Sequence, residues 1–390
     1  MVQLKDVVPE SLIRRITISC LKEKAVNLAQ AFPDYDTREE FKELAIEGIK
    51  NGYSQYTHTW GLPVLRQAIS KKYKGLYKIE LHPEKNILVT CGCMEALRIT
   101  LNTIIRGTDG DAEIIIVEPF YESFYPQTVL EGGIPVFISL NKEDFSFDVE
   151  KLKRAITKNT KALIINSPNN PCGKILTRQE LSQIHEICTE KGIFIISDET
   201  YEHIVYGKNK HYSLLELDNS EGNLIVVSGT GKTYATTGWR IGYIIAHEEV
   251  TRCIRPSHDY NTVCAAAPLQ YATAKMLNLP QSYYDDIVKS YEERKVFIVD
   301  ALNSVGFECF EPQGAYYVFA DYRKIGKQVN IQDDIEFALD YLIKKIGVGA
   351  VPASSFYYHR ELAQGKIRFT FSKRMETLRE AKKRLLKIGD

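Results

Sequence analysis

Between residues 85 and 246 the chain alternates short apolar runs with longer segments of helical period, and this alternation narrows the possible folds more than any other feature. The runs are ILVT (87–90), EIIIV (113–117), PVFISL (135–140), KALIIN (161–166), IFIISD (193–198), LIVVSG (224–229) and IGYIIA (241–246). Helical stretches start at Met94 and run from about Thr177 to Glu190. Strands this uniformly apolar are buried on both faces, and intervening helices supply the crossovers, so the expected fold class is α/β with a mostly parallel sheet. Beyond about residue 280 the character changes. YYDDIVKSYEERKVFIVDALN and DDIEFALDYLIKK flank the short strands AYYVFA (315–320) and KIRFTFS (366–372), which predicts a smaller α+β unit. The expected division is 1–40 as an N-terminal arm and part of the small domain, 41–280 as the large domain and 281–390 as the C-terminal small domain.

Composition removes several classes of function. Lys+Arg number 50 and Asp+Glu 50, so the formal charge is +0 and no net basic field exists to displace counterions from a nucleic acid. No apolar stretch approaches the ~20 residues of a membrane helix, and the opening MVQLKDVVPESLIRR lacks the apolar core of a signal peptide. A cytoplasmic protein without nucleic-acid or membrane partners is expected. The cysteines (Cys20, Cys91, Cys93, Cys172, Cys188, Cys253, Cys264 and Cys309) form no C-x-x-C pair, and the histidines offer no H-E-x-x-H spacing. Neither a disulfide framework nor a metal site is expected.

The segment SGTGKTYATTGWRIGY (228–243) carries the most chemistry. Lys232 follows a strand through a turn containing Gly229 and Gly231 and precedes Arg240. A P-loop is disfavoured because a valine stands where that motif needs its first glycine. Three constellations come earlier: Gly92-Cys93-Met94-Glu95-Ala96-Leu97 opening a helix, Asn166-Ser167-Pro168-Asn169-Asn170-Pro171-Cys172-Gly173 after a strand, and Asp198-Glu199-Thr200-Tyr201 closing the next strand. All lie at the carboxyl ends of predicted strands, the edge at which open α/β sheets bind ligands.

With this set in order, the chain resembles the fold-type I, class I/II pyridoxal-phosphate-dependent aminotransferases, and most of all the branch of kynurenine, glutamine and methionine aminotransferases and cysteine-conjugate β-lyases. The likeness runs from NLAQAFPDY (27–35) and QYTHTWGLPVLRQAI (55–69) through IIIVEPFYESFYP and SPNNPCGK to KIRFTFS. It implies a mostly parallel seven-stranded sheet in a large domain beside a smaller α+β domain. It also implies pyridoxal 5'-phosphate as cofactor, an α-amino acid and a 2-oxo acid as substrates, and a homodimer with shared active sites.

By the same resemblance Lys232 holds the cofactor as a Schiff base and acts as general base, a role that needs a lysine able to lose its proton. Asp198 keeps the pyridine nitrogen protonated, since a carboxylate at the end of a buried strand favours the cation. Asn170 and Tyr201 hydrogen-bond the phenolic oxygen. Arg240 and the backbone amides around Cys93 and Met94 take the phosphate, where a guanidinium fork and a helix N-terminus both suit an anion. Tyr56 reaches the phosphate from the neighbouring subunit, Tyr121 stacks on the pyridine ring, and Arg368 binds the substrate α-carboxylate beside Ala31 and Asn170. The run Phe120, Tyr121, Phe124, Tyr125 leaves the stacking residue open among its members.

Several positions depart from the family pattern. The phosphate-binding Ser or Thr three residues before the lysine is Gly229; Ser228, Thr230 or the backbone of the Gly229–Gly231 turn are the candidates to replace its contact. Ala29, Ala31 and Ala353 stand where relatives often have Gly, and at 31 a methyl either narrows the pocket or alters a turn. Cys172 replaces a Thr, a near-isosteric change read as structural. The aromatic set Phe32, Tyr56, Trp60, Tyr121, Tyr125 and Phe356 favours large apolar, aromatic or amide substrates. The departures also keep a lyase, cyclase or oxidase in view, and from another class a non-catalytic regulator that binds the cofactor.

Overall fold

The computed structural model describes residues 7–217 and 221–388. Seven strands form the main sheet: β1 (Ile87–Thr90), β2 (Glu113–Glu118), β3 (Ile134–Ser139), β4 (Thr160–Asn166), β5 (Phe194–Asp198), β6 (Leu224–Gly229) and β7 (Gly242–Ala246). Their spatial order is β1-β7-β6-β5-β4-β2-β3. All pairings are parallel except those of β7, which runs antiparallel to both β1 and β6. The direction of β7 follows from the connection before it. The segment 230–241 holds no helix long enough for a crossover, and without one the chain can only return antiparallel.

Register explains why the runs read as continuously apolar. Ile115, Leu163, Ile195 and Leu224 align across β2, β4, β5 and β6 toward one apolar cluster, and Ile116, Ile164, Ile196 and Ile225 align toward a second. All eight are buried, so truncating any of them to alanine costs about 2–5 kcal/mol. Helices seal both faces. Arg178–Glu190 starts where Thr177 and Glu180 form a reciprocal capping box, the Ser/Thr-x-x-Glu signature of a helix start.

A second sheet carries Val351–Pro352, Lys366–Thr370, Tyr317–Asp321 and Glu308–Cys309 in that order, all antiparallel. The expected strand 315–320 lies two residues later because Ala315 adopts φ +58 and turns the chain before the ladder begins. The N-terminal segment is tied to this region. Val26–Asn27 pairs with Val348–Gly349, and Thr370 N donates to the Leu28 carbonyl at 2.8 Å. Ahead of it, helix Leu12–Lys22 buries Ile16 and Cys20. Its N-terminus is held by Glu122, whose carboxylate accepts from Ser11 Oγ (2.7 Å), Leu12 N (3.0 Å) and Ile13 N (3.4 Å), a favourable placement for an anion. Among the described residues, no helix is long and apolar enough to cross a membrane.

Candidate active site

The carboxyl ends of β4, β5 and β6, the turn after β1 and the helix Cys93–Arg106 open onto one cavity of about 520 Å³. Lys232, Asp198, Tyr201, Asn170, Cys93, Met94, Tyr121, Arg240, Arg368 and Ala31 all line it. Residues from 31 to 368 therefore converge on one space, and the topology accounts for it: parallel strands present all their carboxyl-terminal loops on the same edge.

Lys232 projects from the β6–β7 connection. Its Nζ donates to the Ala31 carbonyl at 3.4 Å and lies 5.9 Å from the ring centres of Tyr201 and Tyr316. Burial is the main force lowering its pKa, to about 8, with Arg368 and Arg240 pushing the same way against Cys93 and Asp198. At pH 7 about a tenth of such amines are neutral, against about 0.03% for an ordinary lysine. Asp198 is pushed the other way: burial raises its carboxyl pKa, and the Thr200 hydroxyl and N–H, the latter at 3.1 Å, oppose the shift. A buried carboxyl of this kind is returned to its ionised form by a cation placed beside it.

Arg368 is 1% exposed. Nη1 donates to Asn170 Oδ1 at 2.8 Å and Nη2 to the Ala29 carbonyl at 2.7 Å, while the guanidinium lies 4.5 Å from the Tyr317 ring centre and 4.8 Å from that of Phe356. Its Nε has no hydrogen-bond partner, and no carboxylate among the described residues pairs with it. Desolvation of the unpaired charge lowers its pKa. A buried guanidinium without a counter-ion is costly, and a carboxylate ligand offsets that cost. Asn170 is fixed on its other side by its N–H, which donates to Asn166 Oδ1 at 2.7 Å, and Asn166 Nδ2 reaches the Asp198 carbonyl at 2.9 Å.

The opposite end of the cavity suits an anion. Gly92 (φ +80) precedes the helix Cys93–Arg106, and a Cβ there would fall 2.6 Å from Arg240 Nη2. The guanidinium therefore lies directly against the helix start, adding its charge to the free N–H groups of the first turn. An amine, a carboxyl opposite, an anion cradle at one end and an unpaired buried guanidinium at the other together fit a phosphorylated aldehyde cofactor carrying an amino acid.

Several expectations change in detail. Tyr56 is 81% exposed and does not line the cavity of its own chain. Of the four aromatics at 120–125, Tyr121 and Phe124 line the cavity; Phe120 and Tyr125 turn to Phe137 at 5.7 and 5.9 Å. Trp60 carries the Arg255 guanidinium 3.4 Å from its ring centre, and the Phe356 ring packs against Arg368, so within the single chain Phe32 and Tyr121 are the members of the expected set that line the cavity. Ser228 and Thr230 are committed elsewhere, Ser228 Oγ to Glu202 Oε1 at 3.0 Å and Thr230 Oγ1 to the Ile241 carbonyl at 3.4 Å. Ala29, Ala31 and Ala353 all have negative φ; a methyl is tolerated there without strain. Cys172 is buried with Sγ 3.0 Å from Asn169 Oδ1, a packing role.

Sequence reasoning misses Tyr317, whose hydroxyl meets that of Tyr201 at 2.5 Å; the repeated Tyr-Tyr in AYYVFA is the signal that could have found it. It also misses the site role of the N-terminal helix, which adds Ile13, Thr17 and Ile18 to the cavity wall.

The family model for aminotransferase class I and II matches residues 23–385. An aspartate aminotransferase from Pyrococcus abyssi is 34% identical over 98% of this chain and 96% of its own length. Aromatic-amino-acid aminotransferase 2 from Thermococcus litoralis is 32% identical over 99% and 97%. The solved structure of N-succinyldiaminopimelate aminotransferase from Mycobacterium tuberculosis superposes with a TM-score of 0.93 at 31% identity, covering 99% of this chain and 100% of that one. The chain belongs to the class I and II aminotransferases, whose cofactor is pyridoxal phosphate.

Proposed function

We propose that the chain moves the amino group of an α-amino acid with a large apolar, aromatic or amide side chain to a 2-oxo acid in two half-reactions at this one cavity. The observation that carries the reading is Arg368, a buried guanidinium with a free Nε and no carboxylate partner among the described residues, on the same cavity as Lys232. A substrate α-carboxylate is the counter-ion this arrangement favours.

Pyridoxal phosphate, when bound, supplies the electron sink that lets a bond at the amino acid's α-carbon break. Arg240 and the N–H groups at Cys93 and Met94 hold its phosphate, Asp198 its ring nitrogen, Asn170 and Tyr201 its phenolic oxygen, and Tyr121 lies against its ring. Tyr317, bonded to Tyr201, fixes the direction of that hydroxyl. Lys232 Nζ, as a neutral amine, would take the α-proton and deliver it across the substrate nitrogen to the cofactor's aldehyde-derived carbon, a transfer favoured by its lowered pKa. Arg368 and Asn170 orient the amino acid so that this proton faces Nζ. The N-terminal helix forms part of the cavity wall through Ile13, Thr17 and Ile18.

Ile13, Ile18, Phe32, Met94 and Leu97 on the cavity wall support an apolar or aromatic side chain, while Arg14 on the same wall is the cation a second carboxylate would meet. The same reading keeps the chain in the kynurenine, glutamine and methionine aminotransferase branch, on the resemblance that runs from NLAQAFPDY to KIRFTFS. It includes a homodimer, for which the exposure of Tyr56 away from its own cavity speaks. A cytoplasmic setting accords with eight free cysteines. The same reading divides the chain at residues 40 and 280, with the seven-stranded sheet in the middle segment and the four-stranded sheet in the last.

The test supplies the loaded protein with single amino acids and no oxo acid. One equivalent of oxo acid per active site, with the cofactor converted to pyridoxamine phosphate, is expected, and methionine, phenylalanine and glutamine should react ahead of aspartate. Many turnovers of amino acid with the cofactor unchanged would replace transamination by elimination or oxidation.

A further inference from the structure

Gly229 stands where the family resemblance calls for a hydroxyl-bearing phosphate ligand, and the space beside it is already filled. A Cβ built on Gly229 falls 2.7 Å from Cys93 Sγ, 3.0 Å from the Ile241 carbonyl oxygen and 3.3 Å from Gly242 Cα. Carbon and sulfur do not approach to 2.7 Å without displacement. Cys93 is the first residue of the helix Cys93–Arg106, and its thiol accepts a hydrogen bond from Thr200 Oγ1 at 3.2 Å. Thr200 in turn donates its N–H to Asp198 Oδ1 at 3.1 Å. The thiol therefore sits between the end of β6 and the turn after β5, on the wall of the same cavity.

We propose that Cys93 and Gly229 form one packing unit of the phosphate cradle: the cysteine side chain occupies the volume a residue at 229 would need, so 229 accepts only glycine while 93 is cysteine. The inference rests on the pyridoxal phosphate reading of the cavity. The pair exchanges a direct hydroxyl contact for a compact, uncharged wall, and the phosphate is then bound by the N–H groups at the start of the helix and by Arg240. Burial beside Asp198 pushes the Cys93 thiol up to about 12, so it stays protonated and does not repel a phosphate dianion. The backbone supports the same close approach on the other side, where a Cβ on Gly242 would fall 2.7 Å from Cys93 N. Cys93 is thus a positioning residue. Its side chain holds the helix start at the spacing the cradle requires and need not itself touch the phosphate.

The test is a double-mutant cycle on Cys93→Ala and Gly229→Ser, read by pyridoxal phosphate titration of the cofactor-free protein and by its melting temperature without cofactor. Gly229→Ser in the Cys93 background should weaken cofactor binding about tenfold or more and lower the melting temperature. Adding Cys93→Ala should recover the part of both that comes from the thiol, the approach to the Ile241 carbonyl remaining, with a coupling of the size measured for residues in direct contact. Gly229→Ala carries the same Cβ without the hydroxyl and should behave as Gly229→Ser does. Gly229→Ser or Gly229→Ala binding the cofactor within twofold of the parent, or Cys93→Ala failing to restore either readout, would overturn the proposal. If Gly229→Ser folds only together with Cys93→Ala, the proposal is upheld by that rescue. If the parent protein binds no pyridoxal phosphate, the cofactor reading fails on its own, and the cofactor-free melting temperatures still decide whether the two positions are coupled.

Discussion

Lys232→Ala is expected to lose at least about 10⁴-fold in turnover, because one atom is asked both to carry the cofactor and to move the proton. Lys232→Arg is expected to fall as far. It keeps the positive charge and most of the volume, yet a guanidinium does not give up its proton near neutral pH. The two variants separate charge from proton transfer, and steady-state rates with the preferred donor check them. Neither change should unfold the protein: Lys232 Nζ makes a single long bond, to the Ala31 carbonyl at 3.4 Å, and its charge is destabilised by burial. A Lys232→Arg variant with substantial activity would remove proton transfer at Nζ from the account.

The second large effect is at Arg368. Arg368→Met should lower kcat/KM by about 30- to 4,000-fold, the equivalent of the 2–5 kcal/mol lost when one partner of a buried charge pair is truncated. Arg368→Lys should recover only part of this, since an ammonium restores the charge but not the paired donors. Stability should move much less. The methionine removes an unpaired, desolvated cation, which offsets the bonds lost at Asn170 Oδ1 and the Ala29 carbonyl. A melting temperature within a few degrees of the parent, together with the loss in kcat/KM, marks the guanidinium as present for the substrate. A variant with unchanged kcat/KM would contradict its place in the site.

The parts of this site that were legible in the sequence share a physical cause. Strands buried on both faces leave continuous apolar runs, so their ends could be read, and Asn166, Asp198 and Gly229 fall at those ends. The capping box at Thr177 is likewise local chemistry. What stayed hidden depends on contacts between distant segments. The antiparallel course of β7 is set by the short connection before it, which the apolar run itself does not encode. Tyr317 reaches Tyr201 only because Ala315 turns the chain before the strand begins. Tyr125 and Phe356 look like pocket residues by composition, yet their rings are engaged with Phe137 and Arg368. The glycine at 229 read as a lost ligand until its neighbour Cys93 was in view.

The central claim is that Lys232, among all the lysines of the chain, carries the cofactor. Reduction of the loaded parent protein with borohydride, followed by peptide mapping, tests it most directly. The account predicts a pyridoxyl-phosphate adduct confined to the peptide containing Lys232, at close to one per chain. An adduct on another lysine, or none at near-complete cofactor loading, would contradict it.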